Sequence, residues 1–435
     1  MQVGSILEEY KKSGKLEKSV WQALVFRLIG LGLIFVLQIV LARLMGPKNY
    51  GDYTVIITAV NLLLVVSMFG FDSSILRFVP SALGKGDTSA ANGFVKFSSR
   101  VILILAIVCS LAIFIFLLAK SKKFNIGFSE GLFWAVLLLP FMAFTNQASA
   151  VLRSLRMIKL SLLPAYFLFP VLMALASWYY FSSNNKLPVD AAMLINLGIT
   201  FLICIFINRK AGKVMKEVVE PTEPTYNKKL WISVSAVLFM TTALDLLLKQ
   251  SDILMVSYFL GNTQAGVYSV SAKLATLASL GLSVADFVIM PKIAALYESK
   301  QFGKLQKLIR SASFQILSIS LPVIVCMLIF GKMILGFFGK PYVASYVPLV
   351  ILLVGQLINA ATGMVGGLLT MTGHQKMFFV FYVAAIVIQF VLNSILIKFM
   401  GITGAAIGSS VGLIFLNISA YLYVRKRLRI KASIF

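Results

Sequence analysis

Runs of roughly 20 apolar residues, the length a helix needs to cross the hydrocarbon core of a bilayer, recur along almost the whole of this 435-residue chain. No other feature constrains the fold so tightly. Twelve such runs are read, at about 21–45, 52–79, 95–119, 131–155, 160–182, 190–208, 230–259, 266–290, 310–337, 345–370, 376–398 and 402–424. Several exceed 25 residues and are expected to tilt, or to continue into water as amphipathic ends. Composition agrees with this reading. With 59% hydrophobic residues, 13% charged residues and a mean hydropathy of +0.92, the chain lacks the polar surface a soluble protein of its length needs.

A ten-residue stretch is written twice. LMGPKNYGDY, Leu44–Tyr53, returns as FLGNTQAGVY, Phe259–Tyr268, and each copy joins one apolar run to the next. LRSLRMIK, Leu152–Lys159, is echoed by LTMTGHQK, Leu369–Lys376. The offsets are 215 and 217 residues, so the chain reads as an internal duplication with its site expected between the halves. The expected fold class is an all-α polytopic membrane protein, with about 12 transmembrane helices in two pseudo-symmetric six-helix lobes. The domains are then an N-terminal arm at 1–20, a lobe at 21–208, a linker at 209–229, a second lobe at 230–424 and a basic tail at 425–435. Both marks fall at equivalent places with six spans between them, so the lobes run the same way and a pseudo-twofold axis lies along the membrane normal.

The glycines of the repeat read as turn chemistry. Gly46 and Gly261 each follow an apolar helix, where a left-handed cap suits glycine. Gly51 and Gly266 permit close backbone approach, and Tyr53 and Tyr268 are expected near the headgroup level. Gly401, Gly404 and Gly408 are read as packing positions that let the last span approach a neighbour.

Charge sets the expected orientation. Of 40 Lys and Arg, 28 fall on the face bearing both termini, 9 on the other face and 3 (Arg27, Lys249, Lys273) inside spans. This asymmetry places both termini in the cytoplasm, with the protein in the cell membrane. The net charge of +25 is thus a topology signal and an attraction to membrane lipids, and a nucleic-acid reading is weak because the positives are scattered over short loops. The first twenty residues are polar and carry no cleavage pattern, so no removable leader is expected. Cys109, Cys204 and Cys326 fall within spans and read as small hydrophobes, and the single histidine, His374, reads as a turn residue. No metal or other cofactor is expected beyond a coupling proton or sodium ion. The basic segment Ile293–Ala312 is left as either an interfacial helix or an extension of the ninth span.

Charges inside spans carry the functional reading, because each must face protein or water and find a partner. Arg27 lies in the first span, Asp72 and Arg77 in the second, Asp245, Lys249 and Asp252 in the seventh, and Lys273 and Asp286 in the eighth. Asp245 and Lys249 are an i,i+4 pair able to satisfy each other, whereas Asp252 needs a partner from another helix. Arg27, Lys249, Lys273 and Arg77 are the candidate substrate contacts, since a cation in low dielectric attracts phosphate or carboxylate. Asp245, Asp252, Asp72 and Asp286 are candidates for orienting those cations or holding a coupling ion, with Asp252 the first choice. Each also admits a purely structural reading as an internal ion pair. No arrangement of nucleophile, base and metal can be assembled, so a transporter rather than an enzyme is expected.

The segments LARLMGPKNYGDYT and FGFDSSILRFVP, followed by Gly84-Lys85-Gly86-Asp87, resemble the opening of the polysaccharide biosynthesis flippase family, within the multidrug/oligosaccharidyl-lipid/polysaccharide exporter superfamily. DILMVSYFLGNTQAGVYSVSAKLA and LLTMTGHQK…LNSILIKFMGITGAAIGSSVG are similar to its C-terminal half. The resemblance implies a MATE-like fold and movement of polyprenyl-diphosphate-linked oligosaccharides or related lipid-linked sugars from the inner to the outer leaflet by alternating access. It also implies partnership with glycosyltransferases or a polymerase of the same pathway; the chain itself is expected to be a monomer. The rival readings are a cation-coupled multidrug exporter, a peptidoglycan-precursor flippase and, from another class, a membrane scaffold without transport.

Overall fold

The computed structural model describes residues 14–121, 129–218 and 223–428, without the side chains of residues 14–24, 116–121, 129–132, 283, 284, 286–288 and 291. Most of the expected N-terminal arm, the middle of the linker, the end of the basic tail and the Asp286 side chain therefore lie outside the described residues. The described residues form fifteen α-helices and no strand. In chain order these are α1 (Gly14–Met68), α2 (Phe71–Gly84), α3 (Thr88–Ser121), α4 (Ser129–Ser154), α5 (Ile158–Leu163), α6 (Phe169–Asn184), α7 (Val189–Val218) and α8 (Lys228–Leu260). They continue as α9 (Asn262–Leu277), α10 (Leu280–Glu298), α11 (Phe302–Phe338), α12 (Tyr346–Thr362), α13 (Val365–Met371), α14 (Gln375–Met400) and α15 (Ile402–Tyr423).

Ten stretches among the described residues are long and apolar enough to cross a membrane. One of them, Val25–Gly84, contains the first two expected spans. They are joined at Gly46, whose φ of 71° and ψ of 171° break the helix, and Pro47 restarts it where its missing N–H costs nothing. The eighth expected span is split into α9 and α10 at Ala278–Ser279. The tenth is interrupted at Gly363 (φ 68°) between α12 and α13. The basic segment Ile293–Ala312 is not one interfacial helix. It closes α10, turns at Lys300 (φ 55°) and opens α11 as an extension of the ninth span.

The duplication is written in the backbone. Four pairs of positive-φ residues recur at offsets of 214 to 217: Gly46 with Gly261, Gly86 with Lys300, Arg156 with Gly373, and Asn185 with Gly401. The turns around the middle two pairs share a hydrogen bond that closes the helix end five residues back. Asp87 N donates to Ala82 O at 3.0 Å and Gln301 N to Leu296 O at 2.9 Å; Met157 N donates to Leu152 O and His374 N to Leu369 O, both at 2.9 Å. The sequence marks are thus two of at least four turns repeated between the halves among the described residues. Gly46 and Gly261 do not adopt the left-handed helical cap. Their ψ values of 171° and 167° put them in the extended mirror region, which is close to exclusive to glycine.

The chain forms two compact units. One comprises Met1–Met45 with Ala59–Ala243, the other Gly46–Thr58 with Leu244–Phe435. In the first, Phe94 and Phe97 pack on Trp231 with ring centroids 5.1 and 5.6 Å away, and Ser74 and Ser235 share a hydrogen bond of 2.8 Å. In the second, residues 46–58 dock on α9. A Cβ on Gly51 would strike the Asn262 carbonyl and one on Gly266 would strike Gly51, so the two copies of the repeat touch backbone to backbone. Asn262 Nδ2 donates to Asp52 Oδ1 at 2.5 Å, and Ser257 Oγ donates to Asn262 Oδ1.

Candidate functional site

The best-built polar centre in the second unit surrounds Asp252, near the end of α8, which is only 3% exposed. Removing a carboxylate from water costs several kcal/mol even after relaxation. Three donors offset part of that cost. Tyr268 Oη donates at 2.6 Å from α9, Ser409 Oγ at 3.0 Å from α15, and the Ile253 amide at 2.8 Å from α8 itself. Among the described residues no Lys or Arg forms an ion pair with it.

Amides complete the centre. Gln389 and Asn393 stand four apart on α14, on one helix face, and are 1% and 0% exposed. Gln389 Nε2 reaches both Ser251 Oγ and Ser409 Oγ at 3.4 Å. Its Oε1 and both amide atoms of Asn393 have no protein hydrogen-bond partner. A buried polar atom left so costs about 1–3 kcal/mol. Small residues bring α15 in: a Cβ on Gly408 would overlap Asn393 Oδ1, and one on Gly412 would press on Gln389. Gly404 likewise lies against the Leu396 carbonyl. The centre therefore offers one carboxylate, two amide oxygens and two serine hydroxyls, a set of hard oxygen donors without a balancing cation from the protein.

The other candidates of the same unit are engaged differently. Lys249 pairs with Asp245 at 2.8 Å on the exposed side of α8, and Tyr382 Oη donates to Asp245 at 3.1 Å. Lys273 donates to Tyr50 Oη at 3.1 Å and sits 5.2 Å from the centroid of that ring, which Tyr342 meets edge-on at 5.9 Å. Asp286 belongs to α10, with its side chain undescribed. Tyr53 and Tyr268 are buried within the protein, at 6% and 0% exposure, and Tyr268 is spent on Asp252.

The first unit gathers a second set. Arg27 is half-buried on α1 and lies near Arg153 at the end of α4, which also has Asp72 of α2 and Tyr166, between α5 and α6, as electrostatic neighbours. Asp72 is thus coupled to Arg153 and not to Arg77, which is exposed and lies 5.9 Å from the Phe78 ring. Arg153 is not among the candidates from sequence because it stands at the very end of the fourth expected span, close to Arg156 and Lys159, where a cation reads as part of a connection. The amides Gln389 and Asn393 and the hydroxyl of Ser409 were also passed over. Two amides four apart in an otherwise apolar span, IVIQFVLNS, were the signal that could have found them. His374 lies at the turn expected for it, beside Thr372 at 3.2 Å.

Among the described residues no group of three or more His, Cys, Asp or Glu could hold a metal. No curated protein matches the chain by sequence. Solved structures match its fold over nearly its whole length. A structure of MATE in complex with MaL6 aligns with a TM-score of 0.71 at 14% identity, covering 95% of this chain and 96% of that one. A MOP superfamily transporter from Pyrococcus furiosus, whose binding pocket is described as having reverse polarity suggestive of a different function, gives 0.69 at 16% identity over 95% and 96%. The Vibrio cholerae MATE transporter VcmN in its bent form gives 0.65 at 16% identity over 96% and 98%. The fold is therefore the MATE-like polytopic bundle. The family model described as polysaccharide biosynthesis protein matches residues 16–297, more than half of the sequence, and the chain belongs to that family.

Proposed function

We propose that this protein is a cation-coupled, alternating-access transporter that carries a polyprenyl-diphosphate-linked oligosaccharide, or a related lipid-linked sugar, from the inner to the outer leaflet of the cell membrane. The observation that carries the coupling is Asp252, a buried carboxylate held by Tyr268, Ser409 and a backbone amide beside amide oxygens without partners. A carboxylate in that setting takes up a proton or binds a sodium ion, and its donors come from α8, α9 and α15. A change in the packing of those helices changes its affinity for the ion, which is the differential binding that coupling requires.

The family supplies the substrate class: a lipid-linked sugar pairs an anionic diphosphate with a polar head. Arg27, with Arg153 as its neighbour, is the leading contact for the diphosphate, because two guanidinium groups lie near each other there and the carboxylate Asp72 is coupled to Arg153. Arg77 is an outlying contact. Lys249 and Lys273 remain secondary, since Asp245 and Tyr50 already engage them. Both termini are read as cytoplasmic and the protein as a monomer working beside glycosyltransferases or a polymerase.

A second reading rests on the solved structures, several of which are multidrug transporters of the same fold. It keeps the cation coupling and changes the cargo to a small cationic or amphiphilic drug. A peptidoglycan-precursor flippase would share the diphosphate chemistry. Reconstituted vesicles loaded with a polyprenyl-diphosphate sugar decide between them. Flipping that rises with an imposed sodium or proton gradient supports the proposal, and no flipping alongside saturable efflux of a cationic dye selects the drug exporter.

A further inference from the structure

We propose that the outward face of α11, at Lys307, Arg310, Ser311 and Phe314, is a binding site for the phosphodiester headgroup of an anionic glycerophospholipid. The four side chains follow helical spacing along one stripe and line a groove of about 380 Å³. All four are exposed, Phe314 at 63%. The opposite face of the same turns is fixed: Leu305, Ile309, Ala312 and Ile316 are buried with Ile293, Leu368 and Val424. The helix is thus held by its apolar side, and the basic stripe cannot rotate inward.

The charge has no answer within the nearby chain. No Asp or Glu follows Glu298, while the same 137 residues carry 13 Lys and Arg. Neither Lys307 nor Arg310 pairs with a described carboxylate. A counter-charge must come from outside, and the position selects its source. Arg310 stands directly before the apolar run 312–330, where a phosphate level gives way to acyl chains. Lys307 and Arg310 then meet the phosphate, Ser311 donates to one of its ester or glycerol oxygens, and Phe314, one turn deeper, lies against the first methylenes. A long basic side chain at such a border reaches the headgroup with its stem along the apolar surface.

The test uses the full-length protein in nanodiscs of phosphatidylcholine containing a minority of phosphatidylglycerol, with native mass spectrometry counting the acidic lipids retained. Each basic residue near an anionic surface contributes on the order of a fivefold preference. Lys307→Gln with Arg310→Gln is therefore expected to weaken phosphatidylglycerol retention by about twentyfold, and Phe314→Ala by a few-fold. Lys340→Gln with Lys376→Gln removes the same charge elsewhere and is expected to change retention by less than about twofold. Equal losses in both double variants would mean diffuse attraction to the membrane and overturn the site, as would no loss in the first. Inorganic diphosphate is expected not to displace the lipid; displacement would reassign the groove to a soluble phosphate and overturn the lipid assignment. Melting temperatures of the variants, expected to match the parent because the four residues are exposed, separate lost binding from lost fold.

Discussion

Asp245 and Asp252 lie seven residues apart on α8, two helical turns, and solve the same problem in opposite ways. Asp245 is half-exposed and finds its countercharge one turn on, in Lys249 of the same helix, with one further hydrogen bond from Tyr382 of α14. Asp252 is buried and depends on Tyr268 from α9 and Ser409 from α15, with Gln389 linked through Ser409 and Asn393 set against the backbone of Gly408. A charge paired on its own helix keeps its countercharge when neighbouring helices move. A charge satisfied only across helices registers every change in their packing. That difference is why the second aspartate, and not the first, is assigned the coupling role.

The largest expected effect is at Asp252 itself. Asp252→Asn removes the charge while keeping shape, and gradient-driven transport should fall at least about tenfold, since a hydrogen-bonded ionised group is worth on the order of 1.5–3 kcal/mol. Asp245→Asn should stay within about twofold. Equal losses would erase the distinction between the two. Asn393→Leu is expected to separate stability from function. Its amide atoms lack protein partners, so an apolar replacement should leave the melting temperature equal or higher, while the response to an ion gradient weakens several-fold. A drop in stability with unchanged coupling would make Asn393 structural. Gly408→Ala places a methyl on Asn393 Oδ1 and should destabilise by about 1–3 kcal/mol, read as a lower melting temperature, with partial loss of coupling. The smallest effect belongs to Lys249→Met, about 0.5 kcal/mol or less, because an exposed i,i+4 pair contributes little.

Much of the fold was legible because membrane helices advertise themselves through length and hydropathy. The duplication was legible too, since glycine at a positive φ leaves a mark in the sequence. What escaped has a physical cause in each case. The eighth span was read as one helix, but α9 is rich in Ser, Thr and Ala and ends at Ala278–Ser279, a break no proline or glycine marks. Asp252 is expected to need a partner on another helix; its donors at 268 and 409, and the amides at 389 and 393 beside them, come from three different helices whose spacing in the sequence does not link them. Arg153 sits in the last turn of α4, where a cation at a helix end is hard to tell from a loop charge. In each instance the sequence carries periodicity along one helix, while the site is made by the meeting of several.

The proposed coupling stands on Asp252, and one comparison tests it most directly. Proteoliposomes containing the parent protein or Asp252→Asn, at equal amounts of folded protein, are assayed for lipid-linked sugar flipping with and without an imposed sodium gradient, and separately with and without a proton gradient. The account predicts that one gradient accelerates the parent and that the variant flips at one slow rate under every condition. A variant that still accelerates with the gradient would contradict the assignment of the coupling ion to this carboxylate.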